Sequence, residues 1–314
     1  MRIEAAIALF LVSCSASALG SRPDQEPKVP AGPQLQIEAA VVDGDGNPVP
    51  DVRPNELEVW IGGFRVPIES LTWVTPSTRE RPGRLIVLLL DDVTVNPTLV
   101  ARSRDVAKHF VDQMKPGDRM GVVMLNDGPM ELTADAARAR SQIDRFRQSL
   151  GVTPVDRLGQ QLLSKIAFIG QSLVEAPEGR KILVAIGSAW LLDTPVPPGD
   201  IGGGLNLREE WFAATRALAL AHMPYYVIDP GGVGASGRVG SHGLAREAGG
   251  HPFINTNDLV GAADRILREA DSYYVIRVGD PPVGRKAVMR ELDVRTERRG
   301  LTVRARRGIP GSGR

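Results

Sequence analysis

The sequence predicts an α/β fold: a doubly wound, mostly parallel sheet with helices on both faces, plus small flanking β segments. Three observations predict it. Leu85–Leu90, Met120–Leu125 and Lys181–Ile186 are short, nearly continuous apolar runs, the mark of strands covered on both faces. Helix-period segments alternate with these runs, the pattern of a parallel sheet wrapped by helices. Before residue 76 and after residue 272 the pattern changes to apolar/polar alternation, as half-buried strands require.

In chain order, residues 1–20 read as a secretory signal peptide. Arg2 supplies a positive charge, Ala5–Val12 an apolar core, and Ser13–Ala18 a small-residue exit. The core is shorter than the roughly 20 residues that span a bilayer. Two processing readings stand. Leu11-Val12-Ser13-Cys14 resembles a bacterial lipobox and makes Cys14 a lipidated first residue; Ala16-Ser17-Ala18 instead fits an ordinary small-x-small cleavage site. Residues 21–33, rich in Pro and charge, form a linker. Residues 34–75 form a small β unit, with a strand through Leu35, Ile37, Ala39 and Val41 and a hairpin turning at Gly62-Gly63. Residues 84–271 hold the α/β unit. Its helices are expected over 98–114, 134–150, 156–175, 208–222, 243–248 and 257–271, and its later strands at Tyr225–Ile228 and Pro252–Ile254. Residues 272–308 read as a C-terminal β extension that either extends the sheet or pairs with the N-terminal β unit. Its basic residues are Arg285, Lys286, Arg290, Arg295, Arg298, Arg299, Arg304, Arg306 and Arg307; alternation puts many of them on a solvated face, with contact to an anionic surface as the other reading.

Composition narrows the function classes. Lys plus Arg is 38 and Asp plus Glu 37, a net charge of +1, without the basic excess of a nucleic-acid binder. Cys14 is the single cysteine, so neither an internal disulfide nor a cysteine zinc site can form.

In a doubly wound sheet ligands gather beyond the carboxyl ends of the strands, near the switch point. The residues placed there carry oxygens. After the first buried strand come Asp91-Asp92-Val93-Thr94-Val95-Asn96, and in an extended loop Asp92, Thr94 and Asn96 would point one way, as a hard cation needs. Thr153 lies in the turn before the third helix, and Ser188 follows Gly187 after the third buried strand. Asp92-Val93-Thr94-Val95-Asn96 resembles, in degenerate form, the Asp-x-Ser-x-Ser element of the von Willebrand factor type A (VWFA) family. Gly151-Val152-Thr153 is similar to that family's later Thr element, and Gly117-Asp118-Arg119 to its Gly-Asp-Arg segment. The resemblance covers about residues 84–271, and the flanks are similar to the bacterial exported variant.

The resemblance implies a VWFA/Rossmann-like fold and a non-enzymatic protein-binding or adhesion module, exported to the periplasm, cell envelope or extracellular space. It implies a degenerate metal-ion-dependent adhesion site at Asp92, Thr94, Asn96, Thr153 and Ser188. Ser188 stands where the family has Asp, so Mg²⁺ or Mn²⁺ would bind weakly, with a partner protein's carboxylate completing the shell. The other reading of these residues is structural: Asp92 and Thr94 cap the next helix, the site is inert, and the domain is a scaffold in an envelope assembly. No nucleic acid is expected as a partner, and the membrane enters only through a lipid on Cys14.

Other motifs lead elsewhere. Asp43/Asp45/Asn47 imitates the start of a calcium loop, but strands flank it and Pro54 takes its twelfth position. Gly232–Gly237 matches Gly-x-Gly-x-x-Gly without opening a helix directly. Ser188, with His222 or His242, lacks the glycines of a nucleophile elbow.

Overall fold

The computed structural model describes residues 34–78, 83–126, 130–149, 155–177, 179–187, 207–234, 242–279 and 288–311. The signal peptide, the linker, Cys14, Thr153 and Ser188 lie outside the described residues.

The central sheet contains strands β5 (Arg84–Leu90), β6 (Arg119–Met124), β7 (Leu132–Thr133), β8 (Arg180–Ile186), β9 (Tyr225–Ile228) and β10 (Pro252–Phe253). Their spatial order is β10-β9-β8-β5-β6-β7, parallel except for the edge strand β7. This is the doubly wound α/β class that the apolar runs predict. Alternation within each run feeds two cores. Leu85, Val87 and Leu89 face α3 (Val155–Ser172), α4 (Arg208–Leu220) and α5 (His242–Glu247). Ile86, Leu88 and Leu90 face α1 (Val100–Asp112), α2 (Ala136–Asp144) and α6 (Leu259–Asp271). Every residue of β5 is buried, and each large aliphatic side chain so covered contributes about 1.5–3 kcal/mol. Local chemistry sets the helix starts: Asp135 accepts from the amide of Ala137 (2.8 Å) and Asp258 from that of Gly261 (2.8 Å). The second helix is shorter than its sequence window, since α2 stops at Asp144 and Phe146 turns back into the core.

The two flanks form one β-sandwich. One sheet runs β13 (Thr302–Ala305), β1 (Gln34–Val42), β11 (Tyr273–Gly279), β4 (Ile68–Val74); the other runs β14 (Gly308–Pro310), β12 (Met289–Thr296), β2 (Leu57–Ile61), β3 (Phe64–Val66). Ile37, Ala39 and Val41 of β1, Tyr274 and Ile276 of β11, Val59 and Ile61 of β2, and Leu292 of β12 share one buried core. The C-terminal strands thus pair with the N-terminal ones. Val74 of β4 sits opposite Tyr273 of β11, so the α/β unit is inserted between two adjacent, hydrogen-bonded strands of the sandwich. Gly62 and Gly63, both at positive φ, make the β2–β3 turn.

Arg295, Arg299 and Arg307 are exposed as the solvated-face expectation has it, but three other arginines of the segment depart from it. Arg290 and Arg306 are buried, and Arg304 reaches a carboxylate buried inside the α/β unit, that of Glu269. The outer face of the sheet β13-β1-β11-β4 is covered by the α/β unit, so alternation directs Arg304 and Arg306 to a second buried surface, whereas Arg290 of β12 is in phase with the core residues Leu292 and Val294.

Candidate functional site

The order of the central strands reverses between β5 and β8, which makes their carboxyl ends the switch point. Asp91 and Asp92 leave β5 there, and Gly187 leaves β8. The two tips touch: a Cβ on Gly187 would overlap the Cβ of Asp91, so glycine is what lets the carboxylate pack between the strands.

The segment 91–95 is a turn rather than the extended loop expected, and this changes which oxygens meet. Asp91, 7% exposed, is the hub. Its Oδ1 accepts from the amides of Val93 (3.1 Å) and Thr94 (2.8 Å), and its Oδ2 accepts from the Thr94 hydroxyl. Thr94 is therefore oriented by Asp91, not arrayed beside Asp92. Asn96 Oδ1 accepts from the amide (3.0 Å) and hydroxyl (2.8 Å) of Thr98 and caps the 3-10 turn Pro97–Leu99. The reason is local: a desolvated carboxylate or amide at a strand end takes the nearest backbone N–H donors, as Asx turns do.

Asp92, 6% exposed, joins neighbouring loops. Its carbonyl accepts from the amide of Ser149 at 2.6 Å. Its carboxylate accepts from the Asn126 amide (3.2 Å) and the Asn126 side chain (3.3 Å), and Asn126 Oδ1 accepts from Gln161 Nε2 at 2.7 Å. One chain of polar contacts thus links the tips of β5 and β6 to α3. Asn126 was readable in principle, because it lies just beyond the second apolar run; nothing in the sequence marks Gln161.

Both carboxylates are held above the usual carboxylate range. Burial is the main cause at Asp91, opposed by its bonds from Thr94 and Val93 and reinforced by Asp92. Burial again leads at Asp92, opposed by the bonds from Asn126. Among the described residues no lysine or arginine bonds either group. Such a pair can accept a hard cation or a cationic group, each of which supplies the missing positive charge. The described residues contain no cluster of three or more His, Cys, Asp or Glu side chains arranged to hold a metal, so any cation here would lean on hydroxyl and amide oxygens.

The other motifs have local explanations. Asp43 accepts from the amides of Asp45 (3.0 Å) and Asn47 (2.8 Å), which uses its carboxylate inside the turn. In the described part of the glycine-rich loop, the amides of Val233 and Gly234 donate to Asn257 (3.3 Å) and Asn255 (3.2 Å). His222 precedes β9 at the amino-terminal end of the sheet, whereas Gly187, just before Ser188, ends β8 at the carboxyl end.

No protein-family model matches the chain, and no curated protein matches it. Among solved structures it is similar to the crystal structure of the SpRpn10 VWA domain, with 12% sequence identity over 58% of this chain and 93% of that one, at a TM-score of 0.35.

Proposed function

We propose that the chain is a non-enzymatic, exported VWFA-type module of the bacterial exported family, which binds another protein through the carboxyl rim of its central sheet. One observation carries this reading. Two adjacent buried carboxylates sit at the switch point and, among the described residues, are bonded only by uncharged donors. Perturbed acids at a ligand-binding crevice are the expected signature of a recognition site. The recognition set is Asp92, Thr94, Thr153 and Ser188, with Asp91 orienting Thr94 and Asn96 fixing the start of the following helix. A weakly held Mg²⁺ or Mn²⁺ bridges to a carboxylate of the partner. Export leads to the periplasm, envelope or exterior, and Cys14 is the lipid acceptor where the lipobox is used.

Calorimetric titration with MnCl₂ tests the site. Saturable heat that disappears in Asp92→Ala supports it; the same heat in both proteins removes the metal. Protons compete for these raised carboxylates, so the affinity should fall with acidification, beginning above the ordinary Asp value of 3.8. A second reading, an inert scaffold, is favoured by the insertion of the α/β unit between paired strands of the sandwich. It predicts that envelope partners captured by the full chain persist when Thr94 and Thr153 are both changed to Ala.

A further inference from the structure

One residue donates twice to the side chain of Asp92. Asn126 reaches its carboxylate through the backbone amide (3.2 Å) and through Nδ2 (3.3 Å). The two bonds differ in kind. The backbone amide is set by the sheet: Leu125, the residue before it, donates to the carbonyl of Leu90 at 3.2 Å, where the β5–β6 ladder ends. The side-chain amide has a choice. Its two ends are alike in shape and opposite in polarity, and half a turn would set Oδ1 against Asp92. An ionised carboxylate only accepts, so that orientation replaces a bond with a repulsion.

Gln161 decides between the two orientations. Its Nε2 donates to Asn126 Oδ1 at 2.7 Å, which keeps Oδ1 turned away from Asp92 and Nδ2 turned toward it. Gln161 stands on a firm support. It is half-buried on α3, and Leu158, Leu162 and Leu163 around it belong to the core that includes Leu89 and Leu125. The helix is thus seated on the same two strands whose tips carry Asp92 and Asn126. Polarity runs one way along the contact: Gln161 donates, Asn126 accepts and donates, Asp92 accepts. Successive bonds of this kind strengthen one another.

We propose that Gln161 is a positioning residue of the rim, acting through Asn126 to hold the carboxylate of Asp92 in its binding orientation. The inference rests on the rim being the recognition site. A carboxylate that holds a cation is itself held by outer hydrogen bonds, and losing one of those costs about tenfold or more in affinity.

Gln161→Glu on the full chain inverts the polarity at the helix. A carboxylate there accepts, so Asn126 should turn Nδ2 toward α3 and Oδ1 toward Asp92. NMR of the Asn126 side-chain amide reads this without any cation. In the native chain Asp92→Ala should shift the Nδ2 proton resonances of Asn126; in the Gln161→Glu background it should leave them in place. Gln161→Lys restores a donor and should return the native response. Glu and Lys are both good helix formers, so circular dichroism should show an unchanged fold. Calorimetry with MnCl₂ then reads the consequence. The added negative charge of Gln161→Glu would by itself raise the affinity, whereas lost positioning should lower it about tenfold. The inference is overturned if the Asn126 resonances respond to Asp92→Ala alike in the native and Gln161→Glu chains, or if Gln161→Lys behaves as Gln161→Glu. It is equally overturned if Gln161→Glu binds MnCl₂ as tightly as the native chain. A native chain that binds no MnCl₂ instead removes the metal from the rim, and the NMR comparison alone then decides the role of Gln161.

Discussion

At the amino end of the central sheet, buried acids meet arginines; at the carboxyl end, they meet amides and a hydroxyl. Asp118 accepts from Arg84 through both its backbone amide (2.6 Å) and its Nε (3.0 Å), and both side chains are almost wholly buried. Glu269, fully buried, pairs with Arg304 and accepts from the Tyr226 hydroxyl at 3.1 Å. Asp91 and Asp92 have comparable burial and no cationic partner among the described residues. Each amino-end pair is electrostatically complete, and Glu269–Arg304 also ties the α/β unit to the sandwich. At the carboxyl end the described residues offer the two carboxylates uncharged donors alone. Burial of a charge without an opposite charge is unfavourable, which is why both carboxylates are held above their ordinary range.

Substitutions that treat the two ends alike should therefore give unlike results. Asp118→Ala leaves Arg84 buried without its bidentate partner and should lower stability by about 3–5 kcal/mol in urea denaturation; a loss below about 1 kcal/mol would erase the distinction. Gly187→Ala forces the tips of β5 and β8 apart and should cost about 1–3 kcal/mol, with MnCl₂ affinity reduced because Asp91 and Thr94 shift together. Asp92→Asn should change stability at pH 7 by no more than about 1 kcal/mol. The sign follows from the direction of the shift. The folded value is raised, so the contribution of Asp92 is fully present below the unfolded value of 3.8 and is lost as pH rises through the folded value. The variant should thus equal or exceed the native chain at neutral pH, and the difference should shrink on acidification.

The layers were legible because burial on two faces and burial on one face leave different periodicities. Leu85–Leu90 could hardly be anything but a central strand, and the alternation of β1 and β12 marked half-buried strands equally well. Alternation could not tell what covers the second face. Arg304 and Arg306 share one side of their segment, and only the insertion of the α/β unit turns that side from solvent into an interface. At the rim, the sequence located the acids but not their division of labour. Asp91 and Asp92 are neighbours at a strand end, and which of them packs against Gly187 depends on the register between β5 and β8. Asn126 and Gln161 act through a contact between separate loops, for which no spacing in the chain is diagnostic. The extended loop assumed for 91–96 failed because Asp91 gathers the next amides into a turn.

The connectivity of the sandwich bears on how the chain is made. The strand partners of β1 are β11 and β13, which begin at Tyr273 and Thr302. During synthesis the inserted α/β unit has its last sheet strand at Phe253 and its last helix at Asp271, ahead of β11 and well ahead of β13. Until then Ile37, Ala39 and Val41 have no strand beside them, and a nascent chain holds an open, apolar ribbon at its leading end. A stop before residue 302 would leave that ribbon with one edge bare in the finished product, so premature termination should yield an aggregating fragment whose α/β unit is nonetheless folded.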